Sequence, residues 1–301
     1  MESGGIGSLG QGMAGWRRLS PAAFSRDSRY GIDKTTCSEF TRCEYIDPFP
    51  KKLIAYLKSK LRPIFYKYYE HFHAIRALEW HLLGAWLHPV RGERILDLAC
   101  GHGHFVRRAH RSGLNIFGID ISVSGIRIAQ KYNQPPGCGY AMADALKLPF
   151  CDAAFDKIFS VCALEHFSND EMAVKEANRV LKADGRLVLS VDSLNYRGVA
   201  PPFREKCKVK HFVNQFYTKR QLEKKLVRSG FKISKIKYVV NTPVSSLAYK
   251  LGCYFRWRGI DCMDSVIFVC LLPASFILEN VLRIGFKEEG YIIVAEAIKV
   301  K

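Results

Sequence analysis

The sequence predicts an α/β fold in which a mostly parallel sheet is covered by helices on both faces. Three observations carry this prediction. Residues 94–122 read as a strand, a turn with two glycines, a helix and a second strand that ends in an acidic residue. Two more short apolar runs, 157–161 and 186–191, are typical of strands buried on both faces. A helix-like segment that ends at residue 185 lies between these two runs.

The turn after the first strand has the features of a ligand-binding loop. Asp97 interrupts the apolar run near its carboxyl end, where open α/β sheets bind ligands. Gly101 and Gly103 allow a sharp turn and a close approach of the backbone to a ligand. Val106 stands where a dinucleotide motif has its third glycine, and no phosphate-binding lysine follows. An ordinary tight turn is the alternative for the glycines taken alone.

Asp120 ends the second strand of this unit. A carboxylate at that position can accept hydrogen bonds from ribose hydroxyls. We therefore expect a nucleoside-containing ligand at the carboxyl edge of the sheet.

The order of the downstream motifs is more specific than any one of them. They are Met142-Ala-Asp-Ala145, Leu148-Pro-Phe150, the segment 151–156, Glu165-His166-Phe167 and the segment 178–185. With this order, the chain resembles a class I S-adenosylmethionine-dependent methyltransferase of the type 11 family. The resemblance covers residues 90–195 well and 205–301 loosely. It implies a Rossmann-like, seven-stranded sheet whose last strand is antiparallel and interior, and S-adenosyl-L-methionine as the cofactor.

The resemblance also implies which residues contact the cofactor. The loop that runs from Asp97 through Gly103 would lie beside the methionine part, Asp120 would bind both ribose hydroxyls, and Ile121 would pack on the adenine. Asp144 would accept a hydrogen bond from the adenine amino group, with Ala145 alongside. Within the loop, the family more often has glycine where Ala99 stands. The complete predicted cofactor set is Asp97, Ala99, Cys100, Gly101, Gly103, Asp120, Ile121, Asp144 and Ala145.

Glu165 and His166 follow the fourth strand, at the edge where a methyl acceptor should lie. Histidine has an ordinary pKa near 6.5, so His166 is the best candidate for a general base acting on a hydroxyl acceptor. We predict both residues as catalytic, with a role for His166 in shaping the pocket as the alternative. His211 and Tyr217 are weaker candidates on the substrate side.

The chain is predicted to have three parts. Residues 1–50 form a disordered or irregular segment, and whether residues 1–31 are a transit peptide is left open. Residues 51–92 form a helical extension or cover, because apolar residues recur there every three or four positions. Residues 93–301 form the methyltransferase domain, with a cofactor half (93–195) and a substrate-side half (196–301).

Positive charge is concentrated on both sides of the cofactor half. The net charge of the chain is +18, of which 93–203 carries +1, 51–92 carries +6 and 204–258 carries +13. Such a surface attracts anions, including lipid headgroups and nucleic acid. A solubilising, lysine-rich face is the alternative. The segment 266–278 is strongly apolar but too short to span a bilayer, and we expect a buried or surface-docking helix pair.

Ten cysteines are present without a C-x-x-C pair, and H-E-x-x-H is also absent. We therefore predict no metal site, and buried free thiols at Cys100, Cys138, Cys151 and Cys162. Free thiols fit a protein of the cytoplasm, with peripheral contact to an anionic membrane as a further expectation.

The favoured function is methyl transfer from S-adenosylmethionine to a small-molecule or lipid-like acceptor, most often at an oxygen. The alternatives are a nucleic-acid methyltransferase that uses the basic flanks, and a non-catalytic relative that binds the cofactor. Against the nucleic-acid reading, the chain has neither N-P-P-Y nor D-P-P-Y. The acceptor and the oligomeric state are left open.

Overall fold

The computed structural model describes residues 74–110, 114–197, 199–258, 262–282, 284–285 and 288–300. The predicted N-terminal segment 1–50 and most of the predicted helical extension 51–92 lie outside these residues.

The described chain contains eight α-helices and seven strands. The helices are α1 (Ala74–Leu87), α2 (His104–Ala109), α3 (Val123–Tyr132), α4 (Asp170–Val180), α5 (Pro201–Lys210), α6 (Lys219–Arg228), α7 (Pro243–Arg256) and α8 (Cys262–Phe276). The strands are β1 (Arg94–Leu98), β2 (Asn115–Asp120), β3 (Gly139–Met142), β4 (Phe155–Val161), β5 (Leu181–Asn195), β6 (Phe231–Val239) and β7 (Gly290–Lys299). A 3₁₀ turn spans Leu164–His166, and a π-helical turn, Ile277–Val281, follows α8.

The seven strands form one sheet in the order β3-β2-β1-β4-β5-β7-β6. Strands β1 to β5 run parallel to one another, whereas β7 pairs antiparallel with both β5 and β6. The predicted fold class, including an interior antiparallel last strand, is confirmed.

The fifth strand begins earlier than predicted. Sequence analysis assigns residues 181–185 to the end of a helix, but β5 starts at Leu181, which pairs with Phe155 of β4. The register then shifts before Arg186. The prediction was wrong because Ala183, Asp184 and Gly185 lack a strand-like pattern, and only the pairing of Leu181 reveals the extension.

Side chains of alternating strand residues enter two separate core clusters, so the clusters lie on opposite faces of the sheet. In β1, for example, Leu96 belongs to one cluster and Ile95 to the other. Helices α4 and α6 bury apolar residues in the first cluster. Helices α1, α2, α3, α5 and α7 contribute to the second. Both faces are therefore covered, as an α/β sheet requires.

The apolar run 266–278 forms one helix and the turn after it, rather than a helix pair. Helix α8 continues through Pro273 into the π-helical turn. Ile267 of α8 is buried against Ala248 of α7, while Val266 and Ile277 are about half exposed. Within the described part of the chain, no helix combines the length and the apolar character needed to cross a membrane.

Seven cysteines of the described chain are free thiols, but their burial differs in part from the prediction. Cys100 and Cys138 are buried as expected, and Cys162 is half-buried. Cys151 is exposed, because it lies in the turn before β4 rather than in a strand. Its predicted burial was wrong.

Helix α6 begins with a capping box. Gln221 N donates to Thr218 Oγ1 at 3.3 Å, and Thr218 N donates to Gln221 Oε1 at 2.9 Å. These two bonds satisfy two amides that have no partner inside the helix. Thr218 is therefore the N-cap of α6.

Replacing Thr218 by alanine should destabilise the protein by about 1 kcal/mol, because the N-cap side chain is lost. For a domain of this size, that loss corresponds to a decrease of about 2–4 °C in the melting temperature. Thr218→Ser keeps the hydroxyl and should melt close to the wild type. Equal melting of the alanine and serine variants would show that the cap contributes little.

Candidate active site

The carboxyl ends of β1, β2, β3 and β4 lie along one edge of the sheet, because these strands are parallel neighbours. Each predicted acid occurs at or just after the end of its strand. Asp97 is the penultimate residue of β1, Asp120 is the last residue of β2, and Asp144 follows β3 by two residues. Glu165 and His166 lie in the 3₁₀ turn that follows β4. The sequence-predicted residues therefore share the same edge.

Asp120 holds two loops through backbone hydrogen bonds. Its Oδ2 accepts from Gly101 N at 2.8 Å, and its Oδ1 accepts from Ser122 N at 2.8 Å. One carboxylate thus joins the glycine loop (residues 99–103) after β1 to the turn after β2. Each carboxylate oxygen keeps further acceptor capacity for a ligand.

The glycine loop has a left-handed backbone at Ala99 (φ 64°), Gly101 (φ 52°) and Gly103 (φ 76°). A non-glycine residue pays about 1–2 kcal/mol for this conformation. The φ angle at Ala99 therefore gives a physical reason for the glycine that the family more often has there. Cys100, between these residues, is buried, and its N donates to Ile119 O at 2.8 Å.

Tyr140 of β3 supports the loop from behind, a role that the sequence does not indicate. Its hydroxyl donates to Asn133 O at 2.7 Å and lies 3.2 Å from Gly103 O. A Cβ at Gly103 would come within 2.4 Å of the Tyr140 hydroxyl, and one at Gly118 within 2.6 Å of its ring. Glycine is therefore required at both positions to admit the Tyr140 ring.

Burial governs the electrostatics of this edge. It raises the pKa of Asp97 well above its ordinary value, and the nearby Asp120 carboxylate raises the same pKa further. Burial also raises the pKa of Asp120, although the amides of Ser122 and Gly101 oppose the shift. The Oδ2 atom of Asp97 is buried and has no hydrogen-bond partner among the described residues. A cationic ligand group would compensate both carboxylates.

Three predicted adenine-side residues lie after β2 and β3. Ile121 is 50% exposed, so its side chain offers an uncovered apolar surface. Asp144 is exposed, and its Oδ1 accepts from Leu146 N at 2.9 Å. Ala145 is buried. Ala143 N donates to Asp120 O at 3.0 Å, which fixes this segment beside the end of β2.

Glu165 and His166 have different surroundings although they are adjacent. Glu165 is fully buried, and its Oε1 accepts from Asp192 N at 3.1 Å. Burial, followed by the Asp192 carboxylate, raises the pKa of Glu165 well above its ordinary value. His166 is half-buried, and its Nδ1 lies 3.1 Å from Phe212 O. Since a carbonyl oxygen only accepts, Nδ1 carries the proton and Nε2 keeps a lone pair in the neutral ring.

A polar cluster at the end of β4 was missed by sequence analysis. Cys162, with φ 45°, donates to Glu79 Oε1 at 3.1 Å, and Arg76 Nη1 lies 2.7 Å from its sulfur. Arg76 also forms an ion pair with Glu79. Both residues lie on α1, and nothing in their local sequence shows that they contact β4. Burial raises the pKa of the Cys162 thiol well above its ordinary value, so it stays protonated.

Comparison with known sequences identifies the central part of the chain. The family described as Methyltransferase domain matches residues 96–189. An O-methyltransferase of Aspergillus sclerotiorum is 36% identical over 113 residues, which are 36% of this chain and 43% of that protein. A phthiotriol/phenolphthiotriol dimycocerosates methyltransferase of Mycobacterium leprae is 33% identical over 102 residues, 33% of this chain and 37% of that protein. The chain thus spans less than half the length of these two relatives.

Comparison with solved structures extends the similarity to most of the chain. An S-adenosylmethionine-dependent methyltransferase from Mesorhizobium loti matches with a TM-score of 0.53 at 21% identity, over 74% of this chain and 98% of that one. A phosphoethanolamine N-methyltransferase of Haemonchus contortus matches with a TM-score of 0.56 at 17% identity, over 82% and 60%. At these identities the likeness concerns the fold. Residues 96–189 thus match the Methyltransferase domain family, and the chain shares its fold with S-adenosylmethionine-dependent methyltransferases of known structure.

Proposed function

We propose that the chain is an enzyme that transfers a methyl group from S-adenosylmethionine to a small-molecule or lipid-like acceptor, at an oxygen. The observation that carries this proposal is the pair of carboxylates, buried Asp97 and half-buried Asp120, beside a left-handed glycine loop at the carboxyl edge of the sheet. Buried carboxylates without enough hydrogen bonds are costly unless a ligand compensates them.

The cofactor fits the donors and acceptors of this edge. Asp97, whose Oδ2 has no partner among the described residues, would bind the amino group of the methionine part, and the loop 99–103 would lie beside it. Asp120 would accept from the ribose hydroxyls while it holds Gly101 and Ser122. Ile121 would pack on the adenine, Asp144 would accept from its amino group, and Ala145 would lie alongside. Bound S-adenosylmethionine would supply an electrophilic methyl carbon on a sulfonium.

The acceptor class rests on the relatives and on the surface of the substrate-side half. The two curated relatives named above are an O-methyltransferase and a phthiotriol/phenolphthiotriol dimycocerosates methyltransferase. A 27-O-demethylrifamycin SV methyltransferase of Amycolatopsis mediterranei is 34% identical over 107 residues, 34% of this chain and 39% of that protein. These names support small-molecule and lipid-like hydroxyl acceptors. The basic segment 204–258 would favour an acceptor with an anionic part.

His166 is the proposed general base. The hydrogen bond from Nδ1 to Phe212 O fixes the ring and leaves Nε2 able to take a proton from an acceptor hydroxyl. Glu165 has no exposed surface, so we assign it a positioning role. Its carboxyl holds Asp192 N, and its backbone carbonyl accepts from Asn214 N at 2.8 Å. Asn214 Nδ2 in turn donates to His166 O at 2.7 Å.

The expectations of peripheral membrane contact and of nucleic-acid binding remain predictions. Exposed apolar side chains around α8 favour the membrane, and they are Val266, Ile277, Val281, Leu282 and Ile284. The basic flanks are compatible with either anionic partner. We favour the small-molecule or lipid-like acceptor, because the relatives' names agree with it.

Asp120→Asn should weaken binding of S-adenosylhomocysteine by about 10- to 100-fold, because hydrogen bonds to a charged group contribute about 1.5–3 kcal/mol. In asparagine an NH₂ group replaces one carboxylate oxygen, so a donor would face the N–H donor of Gly101 or of Ser122. Isothermal titration calorimetry measures the affinity, and a thermal melt confirms that the variant is folded. Asp152→Asn, at an exposed turn before β4, is the matched control and should bind normally. Unchanged affinity in Asp120→Asn would remove the ribose assignment.

His166→Gln should lower turnover by about 10²–10⁴-fold, since a general base supplies that factor. The affinity for S-adenosylhomocysteine should not change, because His166 is assigned to the acceptor. Transfer of a labelled methyl group to a metabolite or lipid fraction measures turnover. His88→Asn is the matched control, since His88 is exposed, has φ 39°, and asparagine tolerates that angle. Full activity of His166→Gln would exclude an essential base.

The Glu165→Gln variant keeps a side chain of the same shape but cannot ionise, so it tests whether Glu165 is protonated in the folded protein. In the wild type, the unfolded chain ionises above a pKa of about 4.3 while folded Glu165 keeps its proton. Between about pH 4.3 and the raised pKa of folded Glu165, this group therefore lowers the free energy of unfolding as the pH increases. The decrease is up to about 1.4 kcal/mol per pH unit. The glutamine variant lacks this loss, so its stability relative to wild type should increase with pH. Urea unfolding at several pH values measures the difference, and Glu205→Gln, at an exposed carboxyl, is the control. A difference that is constant with pH would contradict the assignment.

A further inference from the structure

We propose that Cys207, His211 and Cys253 form a binding site for Zn²⁺ that links α5 to α7. The two thiol sulfurs and an imidazole nitrogen all lie within 4.8 Å of one another. The proposal departs from the prediction of no metal, which rested on the absence of C-x-x-C and H-E-x-x-H. It does not depend on the proposed methyl transfer, because none of the three residues belongs to the glycine loop or to the 3₁₀ turn.

Helix geometry brings the first two residues together. Cys207 is in the last turn of α5, and His211 follows four residues later at its C-cap. His211 N donates to Cys207 O at 2.9 Å, so the helical spacing continues to His211. Residues four apart lie on the same face of a helix. This face therefore presents a thiol and an imidazole to the same neighbour.

Cys253 reaches the pair from α7. The rings of Phe203 and Trp257 are in tilted contact, with centroids 5.3 Å apart, and each residue lies four positions from a cysteine of the site. Phe203 lies before Cys207 of α5, whereas Trp257 lies after Cys253 of α7. The order of aromatic residue and cysteine is therefore reversed between the two helices. The aromatic contact fixes the spacing that places the two cysteines side by side.

The His211 imidazole has a nitrogen whose hydrogen-bonding capacity is not satisfied. His211 Nε2 is buried and has no hydrogen-bond partner among the described residues. Leaving a buried polar atom unsatisfied costs about 1–3 kcal/mol. Two buried cysteines alone would be ordinary small apolar side chains. An imidazole with an unsatisfied buried nitrogen, in a group whose donor atoms all lie within 4.8 Å of one another, requires a different explanation, and a metal ligated by all three residues supplies one.

Zinc is the metal that this donor set favours. Zn²⁺ binds thiolates at about 2.3 Å and imidazole at about 2.0–2.1 Å in tetrahedral sites, which places two sulfurs about 3.8 Å apart. From separations of at most 4.8 Å, the two sulfurs therefore have to approach by about 1 Å at most, and each sulfur and the nitrogen by about 1.3 Å at most. Two thiolates would neutralise the charge of Zn²⁺. The described residues offer three ligands, so water would complete the coordination.

The consequence of the site is a cross-link on the substrate side. Helix α5 follows β5, and α7 follows β6. A shared ion would hold the two helices at a fixed separation, as structural zinc sites do.

Metal binding is tested with the full chain, reduced and freed of metal by a chelator. Zn²⁺ and Co²⁺ are each titrated into the protein. We expect one equivalent to bind, tetrahedral Co²⁺ absorption with a thiolate charge-transfer band, and a higher melting temperature with Zn²⁺ that the chelator reverses. Cys207→Ser, Cys253→Ser and His211→Gln should each weaken binding about 100-fold or more, and the two serine variants should lose charge-transfer intensity.

Two control variants address binding elsewhere. Cys138→Ser disrupts another cysteine–histidine contact, 3.5 Å from Cys138 Sγ to His110 Nδ1, and should bind Zn²⁺ normally. Glu165→Gln should also bind normally, although Cys162, Glu165 and Asp192 form a second group of potential ligands. If a serine variant does not fold, His211→Gln and the chelator series on the wild type remain decisive.

Three results would overturn the site. The first is a reduced wild-type chain that binds neither Zn²⁺ nor Co²⁺. The second is a triple variant, C207S/H211Q/C253S, that keeps one equivalent with an unchanged Co²⁺ spectrum. The third is tight binding of Cu⁺ without binding of Zn²⁺, which would reject zinc as the metal.

Discussion

The desolvation of two neighbouring carboxylates at one sheet edge, buried Asp97 and half-buried Asp120, is the constraint on which the site depends. Asp97 and Asp120 raise the cost of folding, since both are desolvated and the Asp120 carboxylate disfavours ionisation of Asp97. Asp120 offsets part of that cost by accepting hydrogen bonds from Gly101 and Ser122. The same bonds position the glycine loop. The Asp120 carboxylate therefore contributes to the electrostatic cost of this edge and also determines the geometry of the glycine loop.

The end of β4 is connected to the helix that precedes the sheet in sequence. Cys162 contacts both Arg76 and Glu79, and its sulfur lies 3.6 Å from Asp192 Oδ1 of β5. Glu165 closes the arrangement by holding Asp192 N. Helix α1 thus contributes polar groups to the region where the acceptor is proposed to bind. A helix that sequence analysis assigns to a cover is also part of the electrostatic environment of that region.

Sequence analysis succeeded where the chemistry is local to one strand end. Asp97, Gly101, Gly103 and Asp120 belong to a single strand-turn-helix-strand unit, and their positions follow from the pattern of that unit. It failed where distant segments meet. Tyr140 supports Gly103 from another strand, and no spacing rule connects the two. The cluster of Cys207, His211 and Cys253 was missed for the same reason, because it depends on how α5 and α7 pack.

Because β7 lies between β5 and β6, the sheet can be completed only when the last strand of the described chain is available. β5 and β6 do not pair with each other, and each joins the other only through β7, which lies between them. A chain that ended before Gly290 would leave two unsatisfied edges, each a template for pairing with other molecules. The bridging contacts connect residues far apart in sequence, such as Arg186 with Ile298, and contacts of that kind slow folding. During synthesis, the nascent chain would therefore depend on protection from aggregation until this strand had left the ribosome.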